Sequence, residues 1–237
     1  LTLCELSPGR FAHASGALWL PADQTIVIAD AHLGYGWAQR RRGELGPVSD
    51  RKSRPKIQAL LDELHPARIV FLGDLVHAPR PAVEERTHIE SLLGELAAAA
   101  ELILVRGNHD RAFAYDFGHL GLTLVPEWRS RGLTALHGDR LDRSAIPEAG
   151  LIVGHLHPVV KIKDAAGAST KLPLFLVSER ITVLPAFSPY SAGCDVSKAL
   201  PPELRDVIGK APVEGVAVTG KRALKIGPIP LRGRRPQ

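Results

Sequence analysis

Ala67-Arg68-Ile69-Val70-Phe71-Leu72-Gly73-Asp74-Leu75-Val76-His77 is an apolar run that stops at a glycine and a carboxylate and is soon followed by an imidazole. Ala67 to Leu72 has the length of a buried strand, and its branched and aromatic residues favour strand over helix. Two other stretches share the plan: Thr25 to Ala29 ends at Asp30-Ala31-His32, and Leu102 to Val105 ends just before Gly107-Asn108-His109-Asp110. Helical patterns lie between them. Ser53 to Leu64 carries Pro55 in its first turn and Ile57, Leu60, Leu61 and Leu64 on one face, and Pro81 to Ala99 repeats that spacing with Ile89, Leu92, Leu93 and Leu96. The order βαβαβ implies a parallel sheet with right-handed crossovers. Such a sheet gathers the loops at the carboxyl ends of its strands into one crevice.

Beyond residue 120 the pattern changes. Candidate strands at Leu122–Val125, Leu133–Leu136, Leu151–Val153, Val159–Ile162, Leu174–Val177 and Ile181–Leu184 succeed one another with short turns and little helical periodicity, which predicts mainly antiparallel pairing. Residues 214–226 read as a terminal hairpin. Two more polar blocks punctuate these strands, His137-Gly138-Asp139 and Gly154-His155-Leu156-His157. The expected class is α/β, with two sheets packed face to face and helices outside. Residues 1–226 form one domain in this reading, and 227–237 a flexible basic Pro/Gly/Arg tail.

Composition narrows the function. With 237 residues, 45% of them hydrophobic, the chain can bury a full core. No stretch approaches the roughly 18 consecutive apolar residues of a membrane span. Leu1 to Arg10 lacks the basic region and apolar core of a secretory signal. Cys4 and Cys194, far apart and in no CxxC spacing, argue against a disulfide framework or zinc ribbon. A cytoplasmic protein is the expectation. The pI near 9.4 invites a nucleic-acid reading, yet six basic residues (Lys221, Arg222, Lys225, Arg232, Arg234, Arg235) sit in an acid-free terminus. Removing those six from the 30 basic residues leaves 24 against 25 acidic ones, so the net charge belongs to the tail. Arg40-Arg41-Arg42 is a separate cluster in a Gly-rich loop after the first block. It reads equally as a phosphate contact or as a solubilising loop.

Six of the ten histidines fall within the five blocks; His13, His65, His88 and His119 have no partner pattern. Residues at i and i+2 of an extended segment point the same way, so Asp30 and His32 can share a cation, as can His155 and His157. Asp74 has two oxygens with which to bridge two cations, and Gly73 lets its backbone approach closely. Asn108 offers a neutral oxygen, or caps a turn. His109 suits proton transfer. Asp110 either orients that imidazole or caps the next helix. His77 either touches a substrate phosphate or hydrogen-bonds behind the ligands.

The five ordered blocks resemble the calcineurin-like metallophosphoesterase superfamily over residues 30 to 157, with no ligand missing. The resemblance implies a four-layer α/β/β/α sandwich of two mixed sheets flanked by helices, with two metals at its edge. It assigns Asp30, His32, Asp74 and His157 to the first metal, and Asp74, Asn108, His137 and His155 to the second. His109 would act as acid or transition-state stabiliser. His32-Leu33-Gly34 and Gly73 to His77 look like the nuclease branch that includes SbcD-type repair exonucleases. The length, a strand pair around Leu18 to Asp30 and Leu184-Pro185-Ala186-Phe187 look like the DNA-ligase-associated metallophosphoesterases, over residues 10 to 193. His137-Gly138-Asp139 departs from that group toward the generic superfamily form.

The expected function is a dinuclear phosphoesterase in which a metal-bridging hydroxide attacks in line. Mn²⁺ is favoured, with Fe or Zn²⁺ suited to the same thiolate-free donors. DNA in repair is the leading substrate, and the resemblance extends to association with a DNA ligase or helicase, but not to a membrane. A phosphatase or phosphodiesterase for small molecules or nucleotides is the alternative; a non-catalytic scaffold comes third.

Overall fold

A computed structural model describes residues 1–46, 52–78, 80–141, 146–163, 167–197, 200, 202–208 and 211–229. The first sheet opens with an antiparallel meander of β1 (Leu3–Ser7), β2 (Arg10–His13), β3 (Leu18–Leu20) and β4 (Thr25–Ile28). Helix α1 (Tyr35–Arg41) comes after β4, and α2 (Ser53–Leu64) leads to β5 (Arg68–Leu72). Helix α3 (Val83–Ala99) leads to β6 (Glu101–Val105), and the short α4 (Phe113–Phe117) to β7 (Thr123–Val125). From β4 to β6 the pairs are parallel, as the βαβαβ pattern predicts; β7, expected with the later strands to pair antiparallel, also pairs parallel, with β6.

The second sheet is also mixed. It contains β8 (Trp128–Ser130), β9 (Leu133–Leu136), β10 (Leu151–Val153), β11 (Pro158–Lys163), β12 (Ser169–Val177), β13 (Ile181–Val183) and β14 (Cys194–Asp195). After α5 (Pro202–Ile208) come β15 (Glu214–Val218) and β16 (Ala223–Pro228), an antiparallel hairpin at the expected place. The expectation of antiparallel pairing holds for β11·β12 and β12·β13 but fails at the centre, where β10 runs parallel to both β9 and β13; β8, which is not among the strands expected from sequence, pairs antiparallel with β9. Periodicity cannot distinguish the two directions in three-residue, fully buried strands. Strand β16 runs to Pro228 and Ile229 is buried, so ordered structure passes the expected boundary at 226; residues 230–237 of the tail lie outside the described residues.

Alternation along the strands builds three apolar layers. Ile26, Ile28, Ile69 and Phe71 face Ile57 and Leu60 of α2 and Ile89, Leu92, Leu93 and Leu96 of α3. Their neighbours Val27, Val70 and Leu72 face the second sheet, against Ala135, Ile152 and Phe175. On its far side Leu151, Val153 and Leu174 pack on Leu204, Val207 and Ile208 of α5. The result is the four-layer α/β/β/α sandwich. Register then places the polar blocks: Ile28, Phe71 and Leu104 form one row, as do Leu136, Val153 and Val183. All five blocks therefore lie just past their strands at one edge of the sandwich.

Candidate metal centre

Backbone hydrogen bonds continue past the strand ends and hold the blocks against one another. Asp30 N donates to Gly73 O (3.2 Å), His32 N to Asp74 O (2.9 Å) and His77 N to Leu33 O (2.8 Å). From the second sheet, Gly154 N donates to His137 O (2.9 Å), while His155 N reaches across to Asp30 Oδ2 (2.8 Å). Five candidate ligands, Asp30, His32, Asp74, His155 and His157, have left-handed backbones with φ between 45° and 63°. Each costs about 1 kcal/mol or more, and persists because neighbouring bonds over-determine it. The alternation rule for extended chain thus does not describe these pairs. Asp30 and His32 do converge, but His155 and His157 go to different clusters.

Two glycines make the close approach possible. A Cβ on Gly73 (φ 75°) would lie 2.2 Å from Nδ1 of His137, and one on Gly107 would lie 2.4 Å from the amide nitrogen of Asp74. The role of Gly107 has no sequence signal, because nothing in its own block shows that another loop will cross it.

Among the described residues three sets of donors could hold a cation: one, His32 with His77 and His109, is of imidazoles alone, and the other two combine a carboxylate with two histidines. Asp30, His32 and His157 make one, and Asp74, His137 and His155 the other; in each, one ligand atom per residue lies within 4.8 Å of the others. The His137 ring stands between them, with Nδ1 3.9 Å from Asp30 Oδ1 and Nε2 3.5 Å from Asp74 Oδ1. Asp30, Asp74 and His137 are almost completely buried. Burial pushes the His32 imidazole down to about 3, outweighing the attraction of Asp30, so at neutral pH it presents a lone pair. Burial, then His137, also lowers His155.

These residues fit divalent cations. His137 Nδ1 donates to Leu72 O (3.1 Å), which leaves Nε2 as a lone pair. That lone pair faces Asn108 Oδ1 at 3.0 Å, Asp74 Oδ1 at 3.5 Å and His155 Nδ1 at 3.0 Å. Acceptors crowd one point, with too few protons among them. In the other group, Asp30 Oδ1 and His157 Nε2 lie 3.0 Å apart without hydrogen-bond geometry, and His32 Nδ1 is buried without a partner. A cation at each group would satisfy lone pairs that are costly to bury unpaired.

Around these groups stand His77, His109 and three arginines expected to touch substrate. The His109 Nδ1 donates to His77 O (2.7 Å), so Nε2 is the end that can exchange a proton, 3.9 Å from Asp74 Oδ2. Asp110 does not orient that ring. Its carboxylate accepts from Leu75 N (3.0 Å), Val76 N (3.3 Å) and Gly107 N (3.0 Å), bracing two ligand loops, and burial pushes it up to about 6. In sequence, a short carboxylate next to a histidine looks the same whether it turns the ring or folds back on neighbouring amides. His77 stacks on His109 and meets His32 and Tyr35 edge-on. Its own ring is held down to about 4, chiefly by burial, then by His109, Arg42 and Arg41.

Arg40-Arg41-Arg42 closes helix α1 instead of lying in a loop, and its members diverge. Arg40 lies over the Trp37 ring, 4.9 Å from its centroid, whereas Arg41 and Arg42 line a cleft with His77, Asn108 and His109. Arg80 and Arg111 line the same cleft and carry no sequence signal, since they lie in unrelated segments.

A calcineurin-like phosphoesterase family model matches residues 24–173, a span that contains all five blocks. The chain belongs to the calcineurin-like phosphoesterase family. It is a hydrolase of phosphoesters, and the two donor groups suit the divalent metals this family uses. Among solved structures, the Pseudomonas putida nuclease MPE is 20% identical, with 94% of this chain and 98% of that chain covered at a TM-score of 0.68, and so shares the fold. The phosphoesterase Yfce from E. coli is 14% identical, with 88% of this chain and 99% of that chain covered at a TM-score of 0.43. No curated protein matches the chain in sequence. Among the described residues, no helix is long and apolar enough to cross a membrane.

Proposed function

We propose that this calcineurin-like phosphoesterase is a two-metal phosphodiesterase acting on nucleic acid, with DNA in repair as its setting. The observation that carries the diester reading is the placement of the arginine-lined cleft directly beside the two donor groups and His109. A chain of phosphates extends beyond the one held at the metals and gains from cations beside them. The repair setting is supported by the likeness of His32-Leu33-Gly34 and Gly73 to His77 to repair nucleases, and the fold-sharing Pseudomonas putida protein is itself a nuclease.

Two divalent cations, when bound, supply Lewis acidity and activate water as the nucleophile. Asp30, His32 and His157 would hold one, and Asn108, His137 and His155 the other, with Asp74 shared. Mn²⁺ is the favoured ion, and Fe or Zn²⁺ suit the same donors. The His77 carbonyl keeps a proton on Nδ1 of His109, so only Nε2 gives a proton to the departing ester oxygen. Water supplies the oxygen that bonds to phosphorus as the ester P–O bond breaks, and the proton it releases restores the imidazolium.

The test is hydrolysis of bis-p-nitrophenyl phosphate and of labelled single-stranded DNA by Mn²⁺-loaded protein. Turnover of both is expected. Inert protein across Mn²⁺, Zn²⁺ and Mg²⁺ would sink the two-metal diesterase reading, and turnover of the small diester alone would sink the nucleic-acid part.

A further inference from the structure

The cleft beside His109 has a volume of about 730 Å³, and among the described residues no carboxylate lines it. Its cations come from three chain segments: Arg41 and Arg42 from the end of α1, Arg80 from the loop after β5, and Arg111 from the turn after Asn108. Arg41 is partly committed, to Glu85 at 3.4 Å and to the Arg80 carbonyl at 3.4 Å. Arg42, Arg80 and Arg111 make no ion pair among the described residues. Guanidinium groups held at one cleft repel one another unless a multiply charged anion joins them, and their planar forks match phosphate oxygens.

The opposite flank of the metal groups is different. There His157 lines a cavity of about 420 Å³ whose basic side chains are Lys56 and Lys171. Each donates to a backbone carbonyl, Lys56 to Phe187 O at 2.7 Å and Lys171 to Ala192 O at 3.5 Å. Of these two cavities, among the described residues, guanidinium groups line the one beside His109.

We infer that the arginine cleft seats the leaving-group portion of the substrate, so that the fragment released from His109 carries at least one further phosphate, held by Arg42, Arg80 and Arg111. The inference rests on the proposed role of His109 at the leaving oxygen. It makes Arg80 and Arg111 specificity residues for a polyanionic strand.

Three thymidine substrates test it: TpT, pTpT and TpTp, with Mn²⁺. The fragment that retains the central phosphate after TpT cleavage identifies the leaving group. A phosphate added to the leaving fragment should raise kcat/KM about tenfold, and one added to the other fragment less than about threefold. Arg80→Ala/Arg111→Ala should erase that asymmetry, and Arg80→Lys/Arg111→Lys should restore part of it. In metal-free protein, the same alanine pair should weaken binding of a fluorescent T10 strand about tenfold and reduce its salt slope by about 1.4. Equal gains from both added phosphates, an asymmetry that survives the alanine pair, or no cleavage of any of the three would overturn the inference. Bis-p-nitrophenyl phosphate separates the failures: turnover of that diester without asymmetry leaves the enzyme reading standing, whereas inertness toward every substrate removes both.

Discussion

The two sheets contribute unlike chemistry to one site. The first supplies the oxygen donors Asp30, Asp74 and Asn108, with His32; the second supplies only imidazoles, His137, His155 and His157. The first sheet's loops are bound to each other by main-chain bonds, from Asp30 to Gly73 and from His32 to Asp74. The second sheet's two histidine loops are fastened to the first through side chains, from His155 N to Asp30 Oδ2 and from His137 Nδ1 to Leu72 O, while the segment after β13 adds main-chain bonds from Phe187 N to Ala29 O and from Ser188 N to Asp30 O. The metal centre is thus a seam rather than a pocket within one sheet. It is complete only when the sandwich has closed, so cation binding would stabilise the docked sheets directly.

Asp74 is where this contrast is easiest to break, because it stands within reach of both the His137 group and His109. Asp74→Ala should lower kcat on bis-p-nitrophenyl phosphate by about 10³-fold or more and reduce bound Mn²⁺ from two ions per chain toward one. His109→Ala should cost about 10²–10³-fold while both ions remain, as elemental analysis of the purified variants would show. Equal metal loss in the two would erase the distinction between a residue that ties the sheets through a cation and one that handles a proton.

Gly73→Ala probes the seam without replacing a ligand. The methyl would press on His137 and strain a left-handed residue, so a loss of about 2–4 kcal/mol in metal-free stability is expected by denaturant titration. An unchanged midpoint would mean that the sheets can separate locally at no cost.

Lys56 offers a smaller test, through pH. This α2 lysine donates to the Phe187 carbonyl, in a segment that also binds the first sheet through Ala29 and Asp30. Burial lowers its ammonium from 10.5 to about 7. Between about pH 7 and 10.5 the unfolded chain holds the proton and the folded one does not, so folding stability from this group rises with pH; below about 7 the full cost of a buried charge remains. Lys56→Met should therefore gain on wild type at pH 6 relative to pH 10, as denaturant titration at the two pH values would show. A gain independent of pH would show that the ammonium is not desolvated in the native state.

The first sheet was legible because each of its central strands is an apolar run joined to the next by an amphipathic helix, a pattern set within about thirty residues of chain. The second was legible only as a row of strands. In β9, β10 and β13 every residue is largely withdrawn from water, so no alternation records strand direction, and parallel pairing there depends on chain that crosses elsewhere. β1, β2 and α5 left no clear mark either, being short elements stabilised by the layers they pack against.

The five blocks identify donor chemistry and order because aspartate, asparagine and histidine bind cations by what they are, wherever the chain puts them. Which of them meet is a matter of packing. His155 and His157, two residues apart, part company at a left-handed bend, while Asp30 and His157, far apart in sequence, come within 3.0 Å. Asp110 braces loops instead of turning His109, and Arg80 and Arg111 join Arg41 and Arg42 across three segments. Local sequence carries side-chain chemistry and backbone preference, but convergence across a seam exists only after two sheets have buried their faces against each other.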